Sequence, residues 1–154
     1  MSRKTLANER DKQEIIERIK KIQPSCKRRW GKMTPHQMLC HLCDSFRGPM
    51  GIRHLSSTKL PGPRWLIRWI ALESPFPWPH GVQTRPEADQ LIGGTPPIDF
   101  ETDRAELLVL LDGFTSKAKG SQWQPHPMFG AMPDEDWMRW GYLHINHHLR
   151  QFGV

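Results

Sequence analysis

Met138, Tyr142, Ile145, Leu149 and Phe152 recur at steps of four, three, four and three residues, a period that an α-helix turns into a single face. At about 100° of rotation per residue, all five fall within about 40° of Met138, and such a stripe has to be buried against other elements. The same period returns in three other places. Leu6, Ile15, Ile16, Ile19 and Ile22 lie among Glu, Lys and Arg and are closed off by Pro24. Met38, Leu39 and Leu42 follow Thr34, Pro35 and Gln37, a capping box with proline at the first helical position, and that helix should run to Phe46. Leu107, Leu108, Leu110, Leu111 and Phe114 follow Asp99 and Thr102, either of which can open a helix that Gly120 would end. Before the last stripe, Pro133, Asp134, Glu135 and Asp136 put proline and negative charge where a helix dipole favours them.

No alternation of apolar and polar residues persists anywhere, so no strand is expected. Residues 48–97 are dense in Pro and Gly and contain one amphipathic run, 65–72, long enough for a short helix. The pattern predicts an all-α, four-helix bundle with one long Pro-rich crossover containing a short extra helix. A chain of 154 residues with seven Trp can bury a core of its own, so residues 1–154 are read as a single domain.

Composition narrows the setting. No stretch approaches the roughly 20 uninterrupted apolar residues of a membrane span, and the charged N-terminal segment lacks the apolar core of a secretory signal. Three cysteines, Cys26, Cys40 and Cys43, cannot all pair, which fits a reducing compartment, and the cytoplasm is the expected location. The formal charge of +6 is scattered apart from Lys20, Lys21, Lys27, Arg28 and Arg29, and no DNA- or RNA-binding module is visible. A solvated basic face is expected rather than a nucleic-acid surface.

Eight histidines raise a geometric question. On the last helix His144 and His148 fall at about 240° and 280° from Met138, on the flank of the buried stripe, whereas His147 falls at about 180° and should face solvent. Two imidazoles at i and i+4 can grip one ion from one face. His41 borders the stripe of the second helix and can supply a third ligand, while His36 in its first turn should be exposed. Three imidazoles leave a coordination position open, as catalytic metal sites do. Spacing alone equally allows satisfied core histidines. His54, His80 and His126 lie in loops and are expected to be ordinary surface residues. Gly141, one turn before His144, should leave space there. Asp44, one turn after His41, either orients a ligand or is an exposed helix carboxylate. Cys40 and Cys43 form a CxxC inside a helix, not at a helix start after a strand, and are read as structural.

Two segments add a resemblance. Trp30-Gly-Lys-Met-Thr-Pro-His-Gln-Met-Leu-Cys-His41-Leu and Trp140-Gly-Tyr-Leu-His144-Ile-Asn-His-His148-Leu-Arg-Gln151-Phe look like the signature segments of the DinB/YfiT-like superfamily of four-helix metal-binding proteins. Within it the chain is most similar to an uncharacterised branch with a HPMFG-type segment, here His126 to Gly130. The resemblance implies that His41, His144 and His148 hold one divalent transition metal, most often zinc or nickel. It also implies a small-molecule substrate and, by analogy with characterised members, transfer chemistry on a low-molecular-weight thiol. Hydrolysis by activated water is the alternative for the same open position. A third reading is a non-catalytic metal-binding bundle whose Trp-rich crossover serves as an interaction surface or homodimer contact. Trp65, Trp69 and Trp78 could instead close over the metal pocket.

Overall fold

A computed structural model describes residues 3–117 and 120–154. It contains five α-helices: α1 Glu9–Lys21, α2 Pro35–Arg47, α3 Arg64–Glu73, α4 Phe100–Thr115 and α5 Asp134–Gln151. A 3₁₀ turn, Pro86–Ala88, lies in the crossover between α3 and α4. Among the described residues there is no strand, only an isolated bridge between His126 and Gly130.

The helix starts follow their local chemistry. Asn8 caps α1 by accepting from the Asp11 amide at 3.1 Å. At α2 both halves of the capping box are made: Thr34 Oγ1 accepts from the Gln37 amide at 3.1 Å, and the Thr34 amide donates to Gln37 Oε1 at 2.9 Å. Asp99 caps α4 through the Thr102 amide, and the three acidic residues of the first turn of α5 face its N-terminal dipole. α4 stops at Thr115, before the expected Gly120; residues 118 and 119 of that stretch lie outside the described residues. The Thr115 hydroxyl donates back to the Leu111 and Asp112 carbonyls. Gly120 instead takes a positive φ of 77° and donates its amide to Asp134.

α2 packs on α4 and α5, α1 packs on α5 and α4, and α3 lies against α5. The shared core is built from Ile15, Ile19, Leu39, Leu42, Phe46, Leu107, Leu111, Phe114, Ile145 and Leu149, all fully buried. Leu6, ahead of α1, joins this core and donates its amide to the Met138 carbonyl at 3.2 Å. Gly141 does not leave space beside His144. A Cβ there would lie 2.6 Å from Leu6 Cδ1 and 3.3 Å from Phe114, so this glycine is what lets the N-terminal segment sit against α5.

α2 is buried all the way round from Met38 to Phe46, because the crossover covers the side that α4 and α5 leave open. Asp44 holds that cover. Its fully buried carboxylate accepts from the Thr95 amide and hydroxyl, both at 2.7 Å, and from Gln90 Nε2 at 3.2 Å. Arg47 and Arg53 neutralise it at 3.0 and 3.4 Å. The helix carboxylate is therefore a buried anchor rather than an exposed side chain. Removing one partner of a buried, hydrogen-bonded ion pair leaves the others uncompensated, at a cost of about 3–5 kcal/mol. Asp44→Ala is expected to lower stability to urea by an amount of that order and to speed amide exchange at residues 88–95.

Candidate metal centre

His41 reaches the site from the middle of α2, and His144 and His148 reach it from successive turns of α5. One ligand nitrogen from each lies within 4.8 Å of the others. His41 Nε2 and His144 Nε2 are 3.2 Å apart, and the ring of His148 is centred 4.7 Å from His41 and 5.0 Å from His144. Two nitrogens each about 2.0–2.1 Å from a tetrahedral cation would stand about 3.4 Å apart, so this spacing suits a shared ion.

Outer contacts set the tautomers. His41 Nδ1 donates to the Ala88 carbonyl at 2.9 Å, which leaves the Nε2 lone pair for the site. His148 Nδ1 donates to Gln151 Oε1 at 3.0 Å. The Gln151 amide is oriented in turn by donating through Nε2 to the Trp30 carbonyl at 2.9 Å. His144 lacks such support, and its Nδ1 is buried without a partner. Burial is the main cause that lowers the pKa of all three imidazoles, His144 and His148 well below the ordinary 6.5, and for those two repulsion from neighbouring histidines adds to it. Three neutral imidazoles with converging nitrogens form a donor set that a divalent transition metal satisfies.

The three histidines open on a cleft of about 1780 Å³. Trp78 and Trp140 wall it beside His144, with ring centres 6.0 and 4.9 Å away. Trp65 and Trp69 do not take part: they are 64% and 60% exposed on α3, facing away from the cleft. Charged residues lining the cleft are Lys32, Arg53, Arg64 and Arg85 against Asp89; with Arg53 paired to Asp44 the balance is still basic and favours an anionic ligand.

His147 is not a member of the group, but neither is it simply solvated. The loop after α3 folds back over it, so that it meets Trp30, Trp78 and His80 with ring centres 5.8–6.1 Å away. Burial lowers its pKa to about 4. A wheel describes one helix only and carries no trace of a loop, with Trp78 and His80, that returns from far upstream in the chain. His80 stacks on Trp30 at 4.0 Å and remains exposed, as does His54. His126 departs most from expectation, because it is buried among Phe129, Trp137 and Trp140 and lines the cleft.

A second, separate group able to hold an ion is formed by His36, Cys40 and Asp103, whose ligand atoms lie within 4.8 Å of one another. Its His36 Nε2 and Asp103 Oδ2 already meet at 2.6 Å. Burial pushes the Cys40 thiol up to about 12 and the Cys43 thiol beyond it, so both are inert as they stand. That agrees with their structural reading, although both are buried in the helix packing.

Residues 81–153 match the model of a family described as a protein of unknown function (DUF1569). The matched stretch holds His126, His144 and His148 and stops short of His41. No curated protein and no solved structure matches the chain.

The buried histidines dictate a pH dependence. His126 titrates at about 3 in the folded chain, against 6.5 for an ordinary histidine. On acidification the unfolded chain binds the proton first, so the stability this histidine contributes is complete above about 6.5 and falls as pH drops from there towards 3. Each such group can add up to about 1.4 kcal/mol per pH unit to the slope. Urea midpoints of the metal-free protein should therefore decline steadily between pH 6.5 and 4, and His126→Asn should make that decline shallower.

Proposed function

We propose that this protein is a metal-dependent enzyme of the DinB/YfiT-like kind, in which His41, His144 and His148 hold one divalent transition metal, zinc or nickel. The convergence of three neutral imidazoles from α2 and α5 at a cleft, with no protein carboxylate or thiolate in the group, is the observation that carries this reading. The packing of α1, α2, α4 and α5 round one core supports the four-helix bundle of that superfamily, and a core running from Leu6 to Phe152 supports a single domain over 1–154. Three free cysteines, two of them buried, suit a reducing, cytoplasmic setting. No helix among the described residues is long and apolar enough to cross a membrane.

The reaction we favour is transfer involving a low-molecular-weight thiol and a small anionic substrate. A divalent cation in this position supplies charge that stabilises a thiolate near neutral pH. The chain supplies the rest. His41 and His148 are locked in orientation by Ala88 and Gln151, Trp78 and Trp140 exclude water on the His144 side, and the basic lining attracts the substrate's charge. Hydrolysis is the weaker reading, because it needs a free general base. Asp44 is committed to the crossover, and Asp89, the carboxylate among the described residues lining the cleft, accepts from the Leu91 amide at 2.9 Å. The exposed face of α3, with Trp65, Leu66 and Trp69, supports the homodimer contact of the third reading without lining the cleft.

Elemental analysis of tag-free protein is expected to give about one transition metal per chain. His41→Ala or His148→Ala should abolish or strongly weaken retention, whereas His147→Ala should leave it nearly intact. Equal losses from His147→Ala and His148→Ala would contradict the ligand assignment. In the cobalt-substituted protein, small thiols should produce a sulfur-to-metal charge-transfer band, absent in His41→Ala. A cobalt spectrum indifferent to both thiols and azide would contradict the open position.

A further inference from the structure

The segment His126-Pro-Met-Phe-Gly130 closes on itself. The His126 amide donates to the Gly130 carbonyl and the Gly130 amide to the His126 carbonyl, both at 2.9 Å, and Gly130 takes the positive φ of 74° that this return requires. The turn aims two further amides inward: those of Met128 and Phe129 donate to His126 Nδ1 at 3.1 and 3.2 Å. Backbone amides can only donate, so Nδ1 must be unprotonated and the ring proton of neutral His126 sits on Nε2. Phe129 stacks on the ring at 4.2 Å, while Trp137 and Trp140 flank it at 5.7 and 5.4 Å. The ring can neither flip nor gain a second proton without losing both amide bonds. Burial acts in the same direction, holding its pKa at about 3.

The turn accounts for one nitrogen and leaves the other. Among the described residues no protein group meets His126 Nε2, and it is not among the atoms sealed from solvent without a partner. His126 lines the same cleft as the three histidines, and Trp140 stands beside both His126 and His144, at 5.4 and 4.9 Å between ring centres.

We propose that His126 is a substrate-binding residue whose Nε2–H donates a neutral hydrogen bond to a carbonyl or carboxylate oxygen of the small molecule bound beside His41, His144 and His148. This rests on the reading of those three as a metal centre. A neutral imidazole fixed in this tautomer polarises an oxygen and stabilises charge developing on it, without releasing a proton to it as an imidazolium would. The basic lining of the cleft agrees with an oxygen-bearing, anionic ligand. A histidine serving only the turn would need its Nδ1 acceptor and nothing at Nε2, and that difference makes the two roles separable.

His126→Asn separates them, because an Asn side chain can keep an acceptor near the Nδ1 position but has no donor at the Nε2 position. The experiment uses zinc-loaded, ¹⁵N-labelled protein, with acetohydroxamate as the oxygen ligand and ethanethiol as a ligand without oxygen. Long-range ¹H–¹⁵N spectra of wild type should show the Nε2–H tautomer of His126 from pH 5 to 8, and acetohydroxamate should shift that proton downfield while ethanethiol does not. In His126→Asn, acetohydroxamate affinity should fall about tenfold, the loss of one hydrogen bond, with ethanethiol affinity and zinc content unchanged. Equal acetohydroxamate affinity in the two proteins, an Nδ1–H tautomer, or an Nε2–H signal indifferent to acetohydroxamate would overturn the proposal and leave the metal reading standing. Should His126→Asn fail to fold, the wild-type spectra decide. Wild-type protein that takes up no zinc would overturn the metal reading, and this proposal with it.

Discussion

Asp44 is the interaction on which the rest of the arrangement depends. It is a carboxylate with no solvent contact, placed on the one side of α2 that no helix covers, and it draws Thr95, Gln90, Arg47 and Arg53 onto that side. Burying a charge is unfavourable unless hydrogen bonds and counter-charges meet it, and here five contacts from four residues do so. The consequence reaches the histidines. Pinning Gln90 and Thr95 brings the 3₁₀ turn that precedes them against α2, and the Ala88 carbonyl at the end of that turn is the group that fixes the tautomer of His41. A carboxylate three residues from a candidate ligand thus acts on it through the backbone of the crossover, by orientation rather than by proton transfer.

The site is assembled with the same economy from the other end of the chain. α5 carries two histidines one turn apart, and one further turn brings Gln151, whose amide links His148 to the Trp30 carbonyl ahead of α2. The segment leading into α2 and the end of α5 are tied together by the outer contact of a candidate ligand, so the integrity of the centre and the closure of the helix packing are one property. His144, with an unpartnered Nδ1, is the member without an outer hydrogen bond: it lies between Trp140 and Trp78, and its Nε2 meets only His41 Nε2, at 3.2 Å.

Much of this was legible in the sequence because helices are local. The capping box at Thr34, the stripe from Met138 to Phe152 and the shared flank of His144 and His148 need only a period and a rotation angle, and the same arithmetic put His41 at the border of its own stripe. What was not legible depends on chain returning from far away. The burial of His126 comes from a turn whose amides close on the ring, the partial burial of His147 from a loop centred near His80, and the burial of Asp44 from residues about 50 positions later. Gly141 shows the same limit: its value lies in the approach of Leu6, which no helical wheel contains. The HPMFG segment did offer a signal, since a glycine four residues after a histidine permits a tight return, but not the direction in which the ring would point.

Three imidazoles, and no sulfur, are proposed to hold one ion. X-ray absorption at the metal edge of the tag-free, metal-loaded protein tests it most directly. About three imidazole nitrogens at about 2.0–2.1 Å with one further light atom are expected, and that signature should be lost in His148→Ala. A shell containing sulfur at about 2.3 Å would contradict it, because the cysteine available to a metal group is Cys40, which belongs to the separate group with His36 and Asp103.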